Sequence, residues 1–98
     1  MFIVQRSFTR PDTSILFYKN TPEFNAHAKA TYKDTGKLHT SSKTLSEDKL
    51  TQVISMLWES EEAWQEWLDD PVCQAHFNRR NAYYEQYGVT NDRTVAQL

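Results

Sequence analysis

The chain of 98 residues has one cysteine, two glycines and three prolines, and it carries no strong excess of either charge: 13 Asp and Glu against 11 Lys and Arg, a formal net charge of -2. One cysteine excludes an intrachain disulfide and a cysteine-built metal site. Two glycines leave no glycine-rich loop to cradle a phosphate. Without a basic surplus, nucleic acid is not an expected partner. No apolar run approaches the roughly 20 residues of a membrane span, and Met1 to Asp12 holds too short an apolar stretch for a signal peptide, so no membrane association and a cytoplasmic location are expected. A chain of this length buries about 65% of its unfolded surface, enough for one core but not for two lobes around a cleft. A single domain over 1–98 is therefore expected, with any ligand in a modest pocket or between subunits. What the chain does have is rings. Hydrophobic content is only 39%, yet three Trp, five Tyr and five Phe concentrate the apolar volume in a few bulky side chains, suited to a core and to an interface.

Phe2 to Phe8 reads as a strand ended by Arg10-Pro11-Asp12, and Ile15 to Tyr18 as an apolar loop or short strand anchored over the core edge. Thr21-Pro22-Glu23 starts a helix: Thr caps it, Pro fits the first position, and Glu suits the positive end of the dipole. Phe24, Ala28 and Tyr32 share one face of this helix, which runs to about Asp34 and stops at Thr35-Gly36. Residues 37–45 and 49–58 read as a hairpin joined by Ser46-Glu47-Asp48. Its second strand is apolar on both parities, with Leu50, Ile54, Met56 and Trp58 on one side and Val53 and Leu57 on the other, so both faces call for cover. Its first strand is rich in Ser and Thr, so one face meets water or a polar cavity.

Ser60 caps the next helix, whose apolar stripe is Ala63, Trp64, Trp67 and Leu68. Asp70-Pro71 repeats the cap-plus-proline signature and predicts a break, with a fresh helix to about Tyr87 and Gly88 as its stop. Val89 to Leu98 is a final strand. Strand, helix, strand, strand, helix, strand is the α+β, ferredoxin-like βαββαβ order: one antiparallel sheet with helices on one face. Such a sheet leaves its second face wet. A homodimer in which two sheets pack face to face into a barrel covers it, and that is the expected assembly.

The segment from Trp58 through Ser60, Ala63, Trp64, Trp67 and Pro71 to His76 resembles the strand-to-helix segment of the antibiotic-biosynthesis-monooxygenase-like group in the dimeric α/β-barrel superfamily. In that group a strand ends in Trp, the helix opens Ser-x-x-Ala, and an aromatic and a second Trp follow. For the haem-degrading members the resemblance implies a pocket lined by an Asn on the first strand, a Trp on this helix and a later His. Trp67 matches that Trp. His76 falls nine residues after Trp67 where the pattern has ten, Phe77 takes the matching slot, and the first strand offers Gln5 or Ser7 in place of Asn. Haem degradation is accordingly not expected, and no cofactor is implied.

Among the remaining candidates, His27, His39 and His76 lack the spacing that would converge them on a metal, so no metal site is expected. Glu61, Glu62, Asp69 and Asp70 are accounted for by capping and the helix dipole. Cys73 reads as a small core residue. Arg79 and Arg80 with Tyr83, Tyr84 and Tyr87 make a basic-aromatic face suited to an anion or a partner, although the expected arrangement is rings packed on the sheet with both arginines extending to solvent. Ligand-binding candidates are Trp67, His39, His76, Gln5 and Ser7. Three functions stay open: binding of a small aromatic or polyketide-like ligand between sheet and helices, a non-catalytic dimeric binding or accessory domain, and a cofactor-independent monooxygenase in which Trp and polar groups orient a substrate that supplies its own carbanion. A cavity at Trp67 separates the first and third from the second, whose interior would be filled.

Overall fold

The computed structural model describes residues 1–98. Four strands, β1 (Phe2–Thr9), β2 (Leu38–Leu45), β3 (Thr51–Trp58) and β4 (Thr90–Gln97), form one sheet in the order β2-β3-β1-β4. Every neighbouring pair is antiparallel. Helices α1 (Pro22–Ala28), α2 (Glu61–Asp69) and α3 (Pro71–Tyr87) complete the expected α+β, ferredoxin-like order.

Strand alternation decides what each residue meets. Phe2, Val4 and Phe8 of β1 are buried under the helices, so Arg6, of the same parity, points to the helical side as well. Ile3, Gln5, Ser7 and Thr9 face the other way. The register carries this division across the sheet. Ile54, Met56 and Trp58 join the helical side, while Val53, Ser55 and Leu57 join the open one.

The helix boundaries follow their caps. Thr21 accepts from the Phe24 N–H, Ser60 from the Ala63 N–H and Asp70 from the Val72 N–H, each with an extended backbone at the cap. The single helix expected to Asp34 is in fact two kinds of turn: α1 passes at Lys29 into a wider π-helical turn through Lys33, in which the Asp34 N–H donates to the Lys29 carbonyl at 2.8 Å. Tyr32 stays buried across that change because its hydroxyl is anchored on Asp70 at 2.6 Å. At the other junction, Asp70 both ends α2 and caps α3.

The core has two parts. One joins Phe2, Val4, Phe24, Tyr32, Leu38, Trp58, Ala63, Trp64, Trp67 and Cys73. The other joins Phe8, Tyr84 and Val89, with Ile15, Phe17 and Tyr18 laid against them. Segment 10–20 is a loop pinned by the Tyr18 N–H donating to the Tyr84 hydroxyl, by the Tyr83 hydroxyl donating to the Leu16 carbonyl, and by Arg10 donating to the Ile15 carbonyl. Each large apolar side chain fully buried in this way contributes about 1.5–3 kcal/mol. Along β1 the parts are separated by a single inward position, Arg6.

Candidate functional site

A cavity of about 370 Å³ lies between the helical face of the sheet and all three helices. That is within the roughly 300–1,000 Å³ range of small-molecule pockets. Its apolar wall is ringed: Phe24 from α1, Trp64 and Trp67 from α2 and Phe77 from α3, with Ile54 and Met56 from the sheet. Trp67 is fixed by neighbours on several sides, its ring centroid 5.4 Å from Phe24, 5.1 Å from Tyr32, 5.5 Å from Trp58 and 5.7 Å from Phe77. The result is a preformed aromatic surface.

His76 closes the side facing α1. It is only 2% exposed and stacks on Phe24, and its Nδ1 has no hydrogen-bond partner. Burial pushes the imidazole down to about 4, with the positive charges of Arg80, Arg79 and Lys43 acting in the same direction. At neutral pH the ring is therefore uncharged, with one nitrogen able to donate and the other to accept.

The polar side of the cavity is cationic. Arg6, Lys43, Arg80 and Arg93 line it and no carboxylate does. Burial and the neighbouring Arg6 charge lower Arg80 to about 10, and burial and Arg93 lower Arg6, yet both stay protonated at neutral pH. Arg80 lies over Phe8 and over Phe77, 5.1 Å from each ring centroid, and Arg93 lies 5.1 Å over Trp64.

Of the residues singled out from sequence, Trp67 and His76 meet at this cavity. The one-residue offset of His76 does not turn it away, because the break at Asp70 resets the helix direction, and His76 and Phe77 both reach the lining. Gln5 and Ser7 lie on the opposite face of the sheet, where Gln5 donates to the Ser55 hydroxyl at 3.0 Å. His39 sits at an irregularity in the β2–β3 register, outside the cavity, and pairs with Glu59. Arg80 turns inward to the cavity rather than extending to solvent, and Arg6 joins the lining, a position that the parity of Phe2, Val4 and Phe8 already sets.

A second polar cluster joins α1 to the start of α3. Asp70 accepts from the Tyr32 hydroxyl at 2.6 Å and from the Val72 N–H at 2.9 Å, and pairs with His27 Nε2 at 2.5 Å. Burial raises the Asp70 carboxyl, but the bonds from Tyr32 and His27 outweigh it and hold the group at about 2. Cys73 is fully buried beside it, and burial together with the Asp70 charge pushes the thiol up to about 12. Donor atoms of His27, Asp70 and Cys73 lie within 4.8 Å of one another. The protonated thiol and the already saturated carboxylate make this cluster a structural clamp.

No helix is long and apolar enough to cross a membrane. No protein-family model matches the chain, and no curated protein matches it. Solved structures do. SnoaB, a cofactor-independent oxygenase from Streptomyces nogalater, superposes with a TM-score of 0.68 at 14% identity over 99% of this chain and 91% of its own. The monooxygenase from the gene ActVA-Orf6 of Streptomyces coelicolor, in complex with nanaomycin D, gives 0.62 at 14% identity over 99% and 86%. A dimeric ferredoxin-like protein from an uncultured marine organism gives 0.57 at 7% identity over 99% and 95%. Identities this low speak to architecture alone. The fold of this chain is the ferredoxin-like α+β fold that these solved oxygenases and the dimeric ferredoxin-like protein share.

Proposed function

We propose that the protein binds a small aromatic, polyketide-like molecule in the cavity between sheet and helices, as a homodimer whose two sheets pack through their open faces. The observation that carries the ligand reading is the cavity of about 370 Å³ walled by Trp64, Trp67, Phe24 and Phe77. A purely structural accessory domain gains nothing from leaving such a volume unfilled, since close packing of the same side chains would be more stable. In this reading Trp67 supplies the stacking surface. Neutral His76, with Nδ1 unpaired, offers one hydrogen bond to a carbonyl or hydroxyl of the ligand. The dimer reading rests on the half-buried Ile3, Val53 and Leu57 of the open face and on the dimeric state named for a fold neighbour. Gln5 and Ser7 then belong to the subunit interface.

Cofactor-independent oxygenation is the second reading, favoured by the likeness to SnoaB. There the ligand itself would supply electrons to oxygen, and the cavity would orient it and exclude water.

Thermal denaturation with a panel of bicyclic and tricyclic aromatics tests the first reading. A binder at about a hundred times its Kd stabilises the fold by about 2.7 kcal/mol, a clear rise in Tm. Absence of any shift across the panel would reject it. Oxygen uptake with anthrone, which takes up O2 to give anthraquinone and water, tests the second: uptake no faster than without protein rejects oxygenase activity on this substrate class.

A further inference from the structure

The register places three cations in one row across the sheet. Lys43 pairs with Ile54, Ile54 with Arg6 and Arg6 with Arg93, all on the helical face. Arg80 of α3 comes to the same place, its guanidinium sharing the Phe8 ring with that of Arg6. Like charges directly opposite on neighbouring strands, as Arg6 and Arg93 are, repel one another; Arg6 and Arg80 are partly buried, while Lys43 and Arg93 are exposed.

Nothing in the chain neutralises them. The sequence has 13 Asp and Glu, and none lines the cavity. Its carboxylates pair elsewhere, in Lys29–Asp34 and Lys37–Glu66 ion pairs and in His27–Asp70 and His39–Glu59 contacts, which leave all four cavity cations without a carboxylate partner. Asp92 raises Arg6 electrostatically but sits on the opposite face of the sheet. Arg6 donates once, to the Asn91 side chain at 2.9 Å, and its buried Nε has no partner at all. In a chain of net charge -2, this concentration is not a by-product of a basic surface.

Orientation adds to this. The guanidinium carbons of Arg6, Arg80 and Arg93 each lie 5.1–5.4 Å over an aromatic ring. A carboxylate takes a guanidinium through two parallel N–H hydrogen bonds; Arg6 spends one donor on Asn91, and the Nε and Nη2 of Arg80 have only long contacts, 3.4 Å each, to the side chain of its neighbour Asn81. Apolar rings on one side and guanidinium groups with no carboxylate partner on the other describe a ligand with the same two ends.

We propose that the cavity selects an aromatic carboxylate, its rings between Trp64, Trp67 and Phe77 and its carboxylate on Arg6, Arg80 and Arg93. This rests on the reading of the cavity as an aromatic site and adds the charge of the ligand to it.

Calorimetric titration of the full chain with 2-naphthoate and with its neutral counterpart 2-naphthylmethanol separates the two claims. Naphthoate is expected to bind at least about tenfold more tightly, the value of one charge-assisted hydrogen bond. Arg80→Met should remove most of that preference, weakening naphthoate far more than the alcohol. Equal affinities in the unaltered protein overturn the charge inference and leave the aromatic site standing. Binding of neither compound overturns both. Equal weakening of both ligands by Arg80→Met, in a variant whose circular dichroism is unchanged, assigns Arg80 to the wall and overturns its role as anion partner. Should that variant not fold, the comparison of the two ligands on the unaltered chain decides.

Discussion

The imidazole of His76 lies flat on the ring of Phe24, centroids 3.7 Å apart and planes 7° apart. A stacked, buried ring resists protonation, and the cations Arg80, Arg79 and Lys43 around it resist it further, which brings it down to about 4. The unfolded chain has no such restraint. As pH falls below about 6.5 the unfolded state takes up this proton first, so stability conferred by the neutral ring is complete above that value and declines until about pH 4, at up to about 1.4 kcal/mol per pH unit. His76→Phe keeps the stack on Phe24 and removes the titration. Urea unfolding near neutrality and again at about pH 5 is expected to show a smaller loss in His76→Phe than in the unaltered protein; identical losses would refute the assignment.

How far the sequence leads is plain at β1. Its alternation, the caps at Thr21, Ser60 and Asp70, and the glycine stop at Gly88 are local signals, and the elements they mark start within a residue or two of their expected bounds, although the helix capped by Thr21 gives way to a π-helical turn after Ala28 instead of running on to Asp34. The candidate site was less legible for two reasons. The hydrogen-bonding character of Gln5 and Ser7 marks them as ligand contacts, whereas period-two geometry places Arg6 on the helical side and both of them on the other. The meeting of Arg80 with Arg6 over Phe8 depends on how α3 lies across the sheet, a tertiary fact that no local pattern encodes.

Asp70 caps α3 and binds Tyr32, so it ties two helices with one carboxylate. Asp70→Ala should cost about 2 kcal/mol, about 1 for the lost cap and about 1 for the bond from Tyr32, whose hydroxyl falls back on the Glu66 carbonyl 3.3 Å away. Asp70→Asn keeps the cap and should cost less. Because the carboxyl is held at about 2, its contribution is present above about pH 4 and lost as pH falls toward 2, a window below that of His76. Acid unfolding of Asp70→Asn should lack this lower phase; a larger destabilisation by Asn than by Ala would contradict the capping role.

Two backbone positions should respond with opposite signs. Gly88 ends α3 at φ 72°, and a Cβ there would meet only Pro11 Cγ at 3.5 Å, an ordinary contact. The cost of Gly88→Ala is therefore conformational, about 1–2 kcal/mol. Lys49 holds φ 63° without being glycine, in the hairpin turn, where its carbonyl accepts from Arg10. Lys49→Gly keeps that carbonyl and relieves the left-handed strain, so it should leave stability unchanged or raise it by up to about 1 kcal/mol. Melting temperatures of both variants check this, at about 4–8 °C per kcal/mol for a domain of this size.

Leu57 and Ile3 are cross-strand partners on the open face, and both are half-buried although no helix covers them. If a second copy supplies the cover, Leu57→Asp places a carboxylate in the apolar centre of that interface, where an unpaired charge costs several kcal/mol. Sedimentation at micromolar concentration should find the unaltered chain dimeric and Leu57→Asp monomeric, with the same circular dichroism. The cavity lies on the other side of the sheet, between it and the helices, so the monomeric variant should still bind 2-naphthoate. A monomeric unaltered chain would sink the barrel arrangement, while loss of naphthoate binding in Leu57→Asp would mean that the cavity depends on the dimer for its shape.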